Sequence, residues 1–312
     1  MYHPYFRGKQ FELITIRETA SILAESGFVP IIEPVRESLG GLEKTLRAIC
    51  DARGKAVVIV NPYHGDHRED GVDITELLRD GFADREDIGV GILLRADMSA
   101  NDAVALYRRH QAHPISFVHA GFSQARALSE ALGTSPVARQ VFVEAYCNRL
   151  YRRHFAVGER ILVRDGFKRQ RNRDYPLVEL FSDLHITYRE EGMDGFGDFL
   201  IVGDDYSETG GPAYAVAIHL TYIDPDQDDA MFIYHFVSDR QDTPTDPAGK
   251  FAEALAKLIR KWNTGNSKLL ETSAIGEFLD LHAKGHFPGL GYLKKLSMKH
   301  HIETLADFDF LE

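Results

Sequence analysis

Short apolar runs alternate with amphipathic stretches from the start of the chain to about residue 165. Phe11 to Ser26 places Leu13, Ile16, Ala20, Leu23 and Ala24 on one helical face, and Gly27 supplies a stop. The run from Phe28 to Glu33, closed by Pro34, reads as a strand, and Leu42 to Ala52 as a helix. Ala56 to Val60 is nearly continuous in β-branched residues, the composition of a strand buried on both faces, and ends in Asn61. Asp73 to Phe82 reads as a helix, Gly89 to Arg95 as a strand, and Ser99 opens a helix through His110. Ile115 to His119, a helix over Ser123 to Leu132, Gln140 to Glu144 and Ile161 to Arg164 complete the series.

Strands joined by helical segments predict parallel pairing with right-handed crossovers. A strand at Tyr2 to Phe6 and one after Phe181 bring the count to eight. The expected fold is therefore α/β: an eight-fold TIM-like (β/α) barrel, with an irregular version included, and a doubly wound parallel sheet is the alternative. No Gly-rich dinucleotide fingerprint follows the early strands.

After residue 181 the pattern changes. Asp198 to Gly203, Ala213 to Ile223 and Met231 to Val237 read as β-structure, separated by the turn-rich stretch Ser207 to Pro212 and the acidic loop Asp224 to Asp229; the last two runs resemble an antiparallel hairpin. Helices return at Lys250 to Trp262, Lys268 to Lys284 and Tyr292 to Leu305, and Phe251, Leu255, Leu258 and Ile259 share one stripe. No low-complexity linker intervenes. The expected organisation is a barrel with its late hairpin over 1–246 and a helical C-terminal extension over 247–312, packed on the barrel.

Composition narrows the partners. A net charge of −11 argues against coating of extended duplex DNA, and two distant cysteines, Cys50 and Cys147, fit neither zinc spacing nor a disulfide framework. The start lacks the apolar core of a signal peptide, and no run of about 18 apolar residues occurs, so the chain reads as cytoplasmic with no membrane partner.

Several strings carry a resemblance: RGKQFELITIRE, then VPIIEPV, then ILVRDGF, FSDLHITY, GFGDFLIVGDDYS and AYAVAIHLTYID. Together they resemble the bacterial and phage beta family proteins, and most closely an uncharacterised bacterial branch, over most of residues 2 to 237. The resemblance implies a barrel and a role in phage defence. It carries no catalytic residue across.

Each strand-like run closes on an ionisable or amide residue, and a barrel gathers such strand ends on one face. Glu33, His119, Glu144 and Asp165 are the candidate acid, base or metal-binding groups. His119 is the proton-transfer candidate, because imidazole titrates nearest neutrality. Arg7, Lys9, Asn61, Arg95, Arg164, Lys168 and Arg169 are the candidate substrate-binding residues, the last two from the basic loop Lys168 to Arg173. The opposing reading makes the same charges an ion-pair network that ends the strands. Asn61-Pro-Tyr-His-Gly-Asp-His can bind a divalent metal through His64, Asp66 and His67, although the pair lacks a helical frame, and the sequence leaves any further cofactor unknown. His300 and His301 are adjacent, so a helix points them apart, and they read as surface or capping residues. Gly195-Phe-Gly-Asp198 and Gly203-Asp-Asp205 set carboxylates beside glycines, in reach of a ligand or in ordinary turns.

Two functions follow. One is a hydrolase or lyase acting on a phosphorylated or otherwise anionic small molecule, or on a nucleic-acid fragment. The other is a non-catalytic module that senses a ligand such as a nucleotide, or docks a protein partner, within a defence operon.

Overall fold

The computed structural model describes residues 1–208, 211 and 213–310. Of the turn-rich stretch, Thr209, Gly210 and Pro212 lie outside the described residues. Strands β1 (Tyr5–Phe6), β2 (Ile31–Ile32), β3 (Ala56–Ile59), β4 (Ile88–Arg95), β5 (Ile115–Ala120), β6 (Arg139–Val143) and β7 (Glu159–Val163) pair in chain order, all parallel. The next strand, β8 (Val178–Ser182), leaves this sheet, and β9 (Gly195–Gly197) returns to pair with β7. Three backbone bonds then join β9 and its flank to the first residues: Phe196 N to Met1 O at 3.0 Å, His3 N to Phe196 O at 2.8 Å and Tyr5 N to Asp198 O at 2.9 Å. Both edges of the sheet are thus paired, which makes it a (β/α)8 barrel rather than a doubly wound sheet.

The connecting helices are α1 (Gln10–Glu18), α2 (Ala20–Glu25), α3 (Gly40–Asp51), α4 (Val72–Phe82), α5 (Ala100–Arg109) and α6 (Ala125–Leu132), with short turns of helix at α7 (Arg149–Arg152) and α8 (Leu184–Thr187). The single helix expected over 11–26 is broken at Thr19. Thr15 Oγ1 donates to the Phe11 carbonyl and Thr19 Oγ1 to that of Thr15, the back-bonding that bends helices. Ser99 caps α5 in a full capping box with Asp102.

Alternation along each strand fills the barrel. Ile31, Val57, Ile59, Leu93, Val118, Val141, Val143, Ile161 and Val163 form one buried cluster with Tyr5, Val29 and Phe199. Where the barrel closes there is no room for side chains. A Cβ on Gly195 would strike the Met1 carbonyl and Ile161, and one on Gly197 the His3 carbonyl. The Gly-Phe-Gly string therefore serves strand closure.

Backbone contacts divide the chain into two units: Met1–Asp165 with Thr187–Phe199, and Gly166–Ile186 with the chain from Leu200 onward. In the second, β10 (Ala217–Asp224) and β11 (Ala230–Val237) form the expected hairpin, and β8 pairs antiparallel with β11. Helices α9 (Pro247–Asn263), α10 (Ser273–Lys284) and α11 (Leu290–Asp307) follow. Phe251, Leu255 and Leu258 of α9 share one core with Ile218, Leu220, Tyr222, Tyr234 and Phe236 of the hairpin and with Ile275, Phe278 and Leu296. Fully burying each such side chain contributes about 1.5–3 kcal/mol. The hairpin, which the sequence pattern groups with the barrel over 1–246, shares this core with the C-terminal helices.

Candidate functional site

Parallel pairing puts the residues after β1 to β7 at one end of the barrel, and hydrogen bonds knit those of the first four strands together. Glu33 is buried, with 1% of its surface exposed. Its Oε2 accepts from the Tyr5 hydroxyl at 2.9 Å and lies 3.1 Å from Arg7 Nε, while Oε1 accepts from the backbone N–H groups of Tyr63 and His64 at 2.8 and 3.1 Å. Arg7 in turn stacks on Tyr5 and Phe199, with its guanidinium 5.1 Å from each ring centre. A carboxylate with two backbone donors, a phenol and a guanidinium has its lone pairs engaged. Gly8 completes the turn: its φ is +61°, and a Cβ there would press on the Glu33 carbonyl. Lys9, half-buried, occupies the N-cap position of α1 without a side-chain capping bond.

Asn61 continues this network. Its Nδ2 donates to the Leu93 carbonyl at 2.9 Å and its Oδ1 accepts from Leu93 N at 2.8 Å, so its amide takes the place of a neighbouring strand's backbone. Arg95 donates to both oxygens of Asp97, at 3.1 and 3.3 Å, and to the Pro62 carbonyl at 3.4 Å, and lies 5.6 Å over the Tyr63 ring. Tyr63 is 58% exposed and meets the His64 ring at 4.8 Å, edge to face. Tyr63, His64 and Arg95 thus form an accessible rim above the buried Glu33–Arg7 pair. Neither charge nor strand position singles out Tyr63; its signal in the sequence is an aromatic between a strand-ending Asn-Pro and a histidine.

Glu144 and Arg164, after β6 and β7, form a separate pair, with Nε to Oε2 at 2.6 Å and Nη2 to Oε1 at 3.0 Å. Asp165 is exposed, one residue further on. His119 lies elsewhere. The register that turns Val118 inward turns His119 outward, where it stacks on Phe142 at 4.7 Å and packs on Phe155 at 4.3 Å. Gln140 Nε2 donates to the Val157 carbonyl at 3.0 Å, which orients Gln140 Oε1 toward His119 Nε2 at 2.9 Å. His119 Nδ1 therefore accepts from the Tyr151 hydroxyl at 2.7 Å. Burial pushes this imidazole down to about 3. With both nitrogens engaged and no charge to give, His119 holds the helical layer on the strands.

His64, Asp66 and His67 do not converge. His67 Nε2 lies 3.0 Å from the Arg36 carbonyl, and Asp66 Oδ2 accepts from Glu37 N at 2.7 Å. Among the described residues no group of three or more His, Cys, Asp or Glu side chains could hold a metal ion. No helix among them is long and apolar enough to cross a membrane.

The basic loop belongs to the second unit, where Lys168 Nζ lies 3.6 Å from Glu179 Oε2 and Arg169 Nη1 donates to the Asp205 carbonyl at 3.0 Å. His300 and His301, expected at the surface, are buried there: His300 bonds Thr272 Oγ1 and the Thr221 carbonyl, and His301 bonds Thr221 Oγ1. Both fasten α11 to β10. Burial pushes His300 down to about 4. Also in this unit, His219 of β10 and His235 of β11 stand opposite one another, and His235 reaches Glu179. The sequence carried this signal unread, because each histidine stands five residues from the end of its strand at the hairpin loop. Antiparallel pairing about that loop sets them face to face.

Comparison with protein-family models, with curated proteins and with solved structures returned no match.

Proposed function

We propose that the barrel is a recognition module that binds a nucleotide unit, free or within a short single strand, at the Tyr63–His64–Arg95 rim. The observation that carries this reading is the division of roles at the strand ends. Glu33 and Glu144, the carboxylates best placed for acid–base work, are engaged by Arg7 and Arg164. Arg95, by contrast, is held by Asp97, whose side chain is 68% exposed. With 24% of the Arg95 side chain exposed against 68% of Asp97, the carboxylate is the solvated partner, and a pair open on that side is worth about 1 kcal/mol or less, so a phosphate can take its place. Tyr63 offers a ring face for a base beside it, the combination by which single strands are held without sequence readout. The acidic body, at −11, restricts such binding to short ligands. Phage defence, implied by the family resemblance, is the setting in which this sensing would operate.

Calorimetric titration with adenosine monophosphate tests the reading. Arg95→Met and Tyr63→Ala should each weaken binding roughly tenfold or more. Equal binding by both variants and the unaltered chain would remove the rim from consideration.

The enzyme reading has one specific observation in its favour, and it lies in the second unit: the hydrogen-bonded chain from Glu179 through His235 to His219.

A further inference from the structure

The three side chains span the sheet in the order β8, β11, β10. Nδ1 of His235 lies 2.6 Å from Nδ1 of His219, and Nε2 of His235 lies 3.1 Å from Glu179 Oε1. A nitrogen–nitrogen contact this short contains one hydrogen. Glu179 receives His235 Nε2 at Oε1, and Lys168 Nζ lies 3.6 Å from its other oxygen. A carboxylate facing His235 Nε2 requires a hydrogen on that nitrogen, since two lone pairs would repel. Neutral His235 then has none on Nδ1, so the shared hydrogen is donated by His219. His219 Nε2 is left as a bare lone pair. Among the described residues it has no hydrogen-bond partner, and the side chain is partly exposed whereas His235 is 2% exposed.

Aromatic rings fix the geometry. Tyr175 stacks on His235 at 4.4 Å, and Phe167 and Tyr175 meet the His219 ring edge-on at 5.1 and 4.9 Å. Burial, with His235 and Lys294 nearby, holds His219 well below the usual imidazole value, so it is unprotonated at neutral pH.

We propose that Glu179, His235 and His219 form a proton relay whose working end is His219 Nε2, a general base for a hydroxyl or water brought by an anionic ligand. The ligand oxygen gives its proton to His219 Nε2 and keeps the electron pair. The Nδ1 proton of His219 passes to His235 Nδ1, and the Nε2 proton of His235 passes to Glu179 Oε1. One proton leaves the ligand, one arrives on the carboxylate, and nothing is oxidised. An acceptor-only nitrogen meets the ligand with a lone pair and so takes a donor hydrogen from it. Lys168 and the exposed Lys294 supply the positive charge that favours an anion.

Diethyl pyrocarbonate, which acylates unprotonated imidazole nitrogen, tests the proposal on the intact chain, with sites located by peptide mass spectrometry. His219 should react faster than the exposed His154, His282 and His286. Glu179→Leu and His235→Phe should each slow it by about a hundredfold or more, the lower end of general-base effects. An unreactive His219, or one whose rate is the same in both variants, overturns the relay. Nitrogen-15 spectra of the unaltered protein supply a test that survives misfolding of either variant. They should show His219 bare at Nε2 and His235 protonated there, and the opposite tautomers would overturn the assignment.

Discussion

Glu33 and Glu144 show how burial decides what one carboxylate is worth. Glu33 faces Arg7 with 2% and 10% of their side chains exposed, whereas Glu144 and Arg164 keep 33% and 27%. Breaking a buried pair costs about 3–5 kcal/mol, and a partly exposed one about 1 kcal/mol or less. Thermal melts should therefore rank Glu33→Gln far below Glu144→Gln, with the latter within about 4 °C of the unaltered chain. Equal losses would contradict this assignment. The buried histidines add an acid limit. His119 is held near 3, and His235 and His300 near 4, against 6.5 when unfolded. Between those values the unfolded chain binds more protons, so these groups stabilise the fold fully above about pH 6.5 and progressively less as pH falls toward 4. Melting temperature measured from pH 7.5 to 4.5 should fall steadily over that interval, and a flat profile would contradict the burial of these imidazoles. At this scale the sequence revealed which residues end strands, but not their facing. His119 and Arg95 both close apolar runs, and only strand register separates an outward histidine from an arginine at the mouth.

Glycine separates elements that must close from elements that merely tolerate it. Gly197 lies where β9 meets the first residues, and a methyl group there would meet the His3 backbone. Gly276 lies within α10 with nothing within 4 Å of a Cβ. Gly197→Ala should abolish soluble expression or sharply lower the melting temperature, whereas Gly276→Ala should stabilise by about 0.4–1 kcal/mol. A harmless Gly197→Ala would show that the barrel does not close through this strand. Helices and parallel strands before residue 165 were legible because each has its own periodicity. The eighth strand was not, since a three-residue Gly-Phe-Gly has no alternation to read. The break at Thr19 was hidden for a related reason, because threonine back-bonding leaves the apolar stripe intact.

At the scale of the whole molecule, each of the two units has a core of its own among the described residues, and each can fail separately. The hairpin buries Ile218, Leu220, Tyr234 and Phe236 against Phe251, Leu255 and Leu258, so ending the chain at residue 246 strips one wall from that core. Such a truncation should be insoluble or lack cooperative melting, and a soluble, cooperatively melting product would contradict the shared core. Composition alone could not place this division, because the chain leaves the barrel at residue 166, re-enters it for 187–199 and leaves again. The central claim is that the strand-end carboxylates hold the barrel together while the exposed rim binds the ligand. Thermal shift with and without adenosine monophosphate, on the unaltered chain, Glu33→Gln and Arg95→Met, tests it most directly. Glu33→Gln should melt near 10 °C lower, at about 2–4 °C per kcal/mol lost, yet still rise with nucleotide. Arg95→Met should melt close to the unaltered chain and show no rise. A Glu33→Gln protein that melts normally but no longer responds to nucleotide would place Glu33 in ligand chemistry and contradict the account.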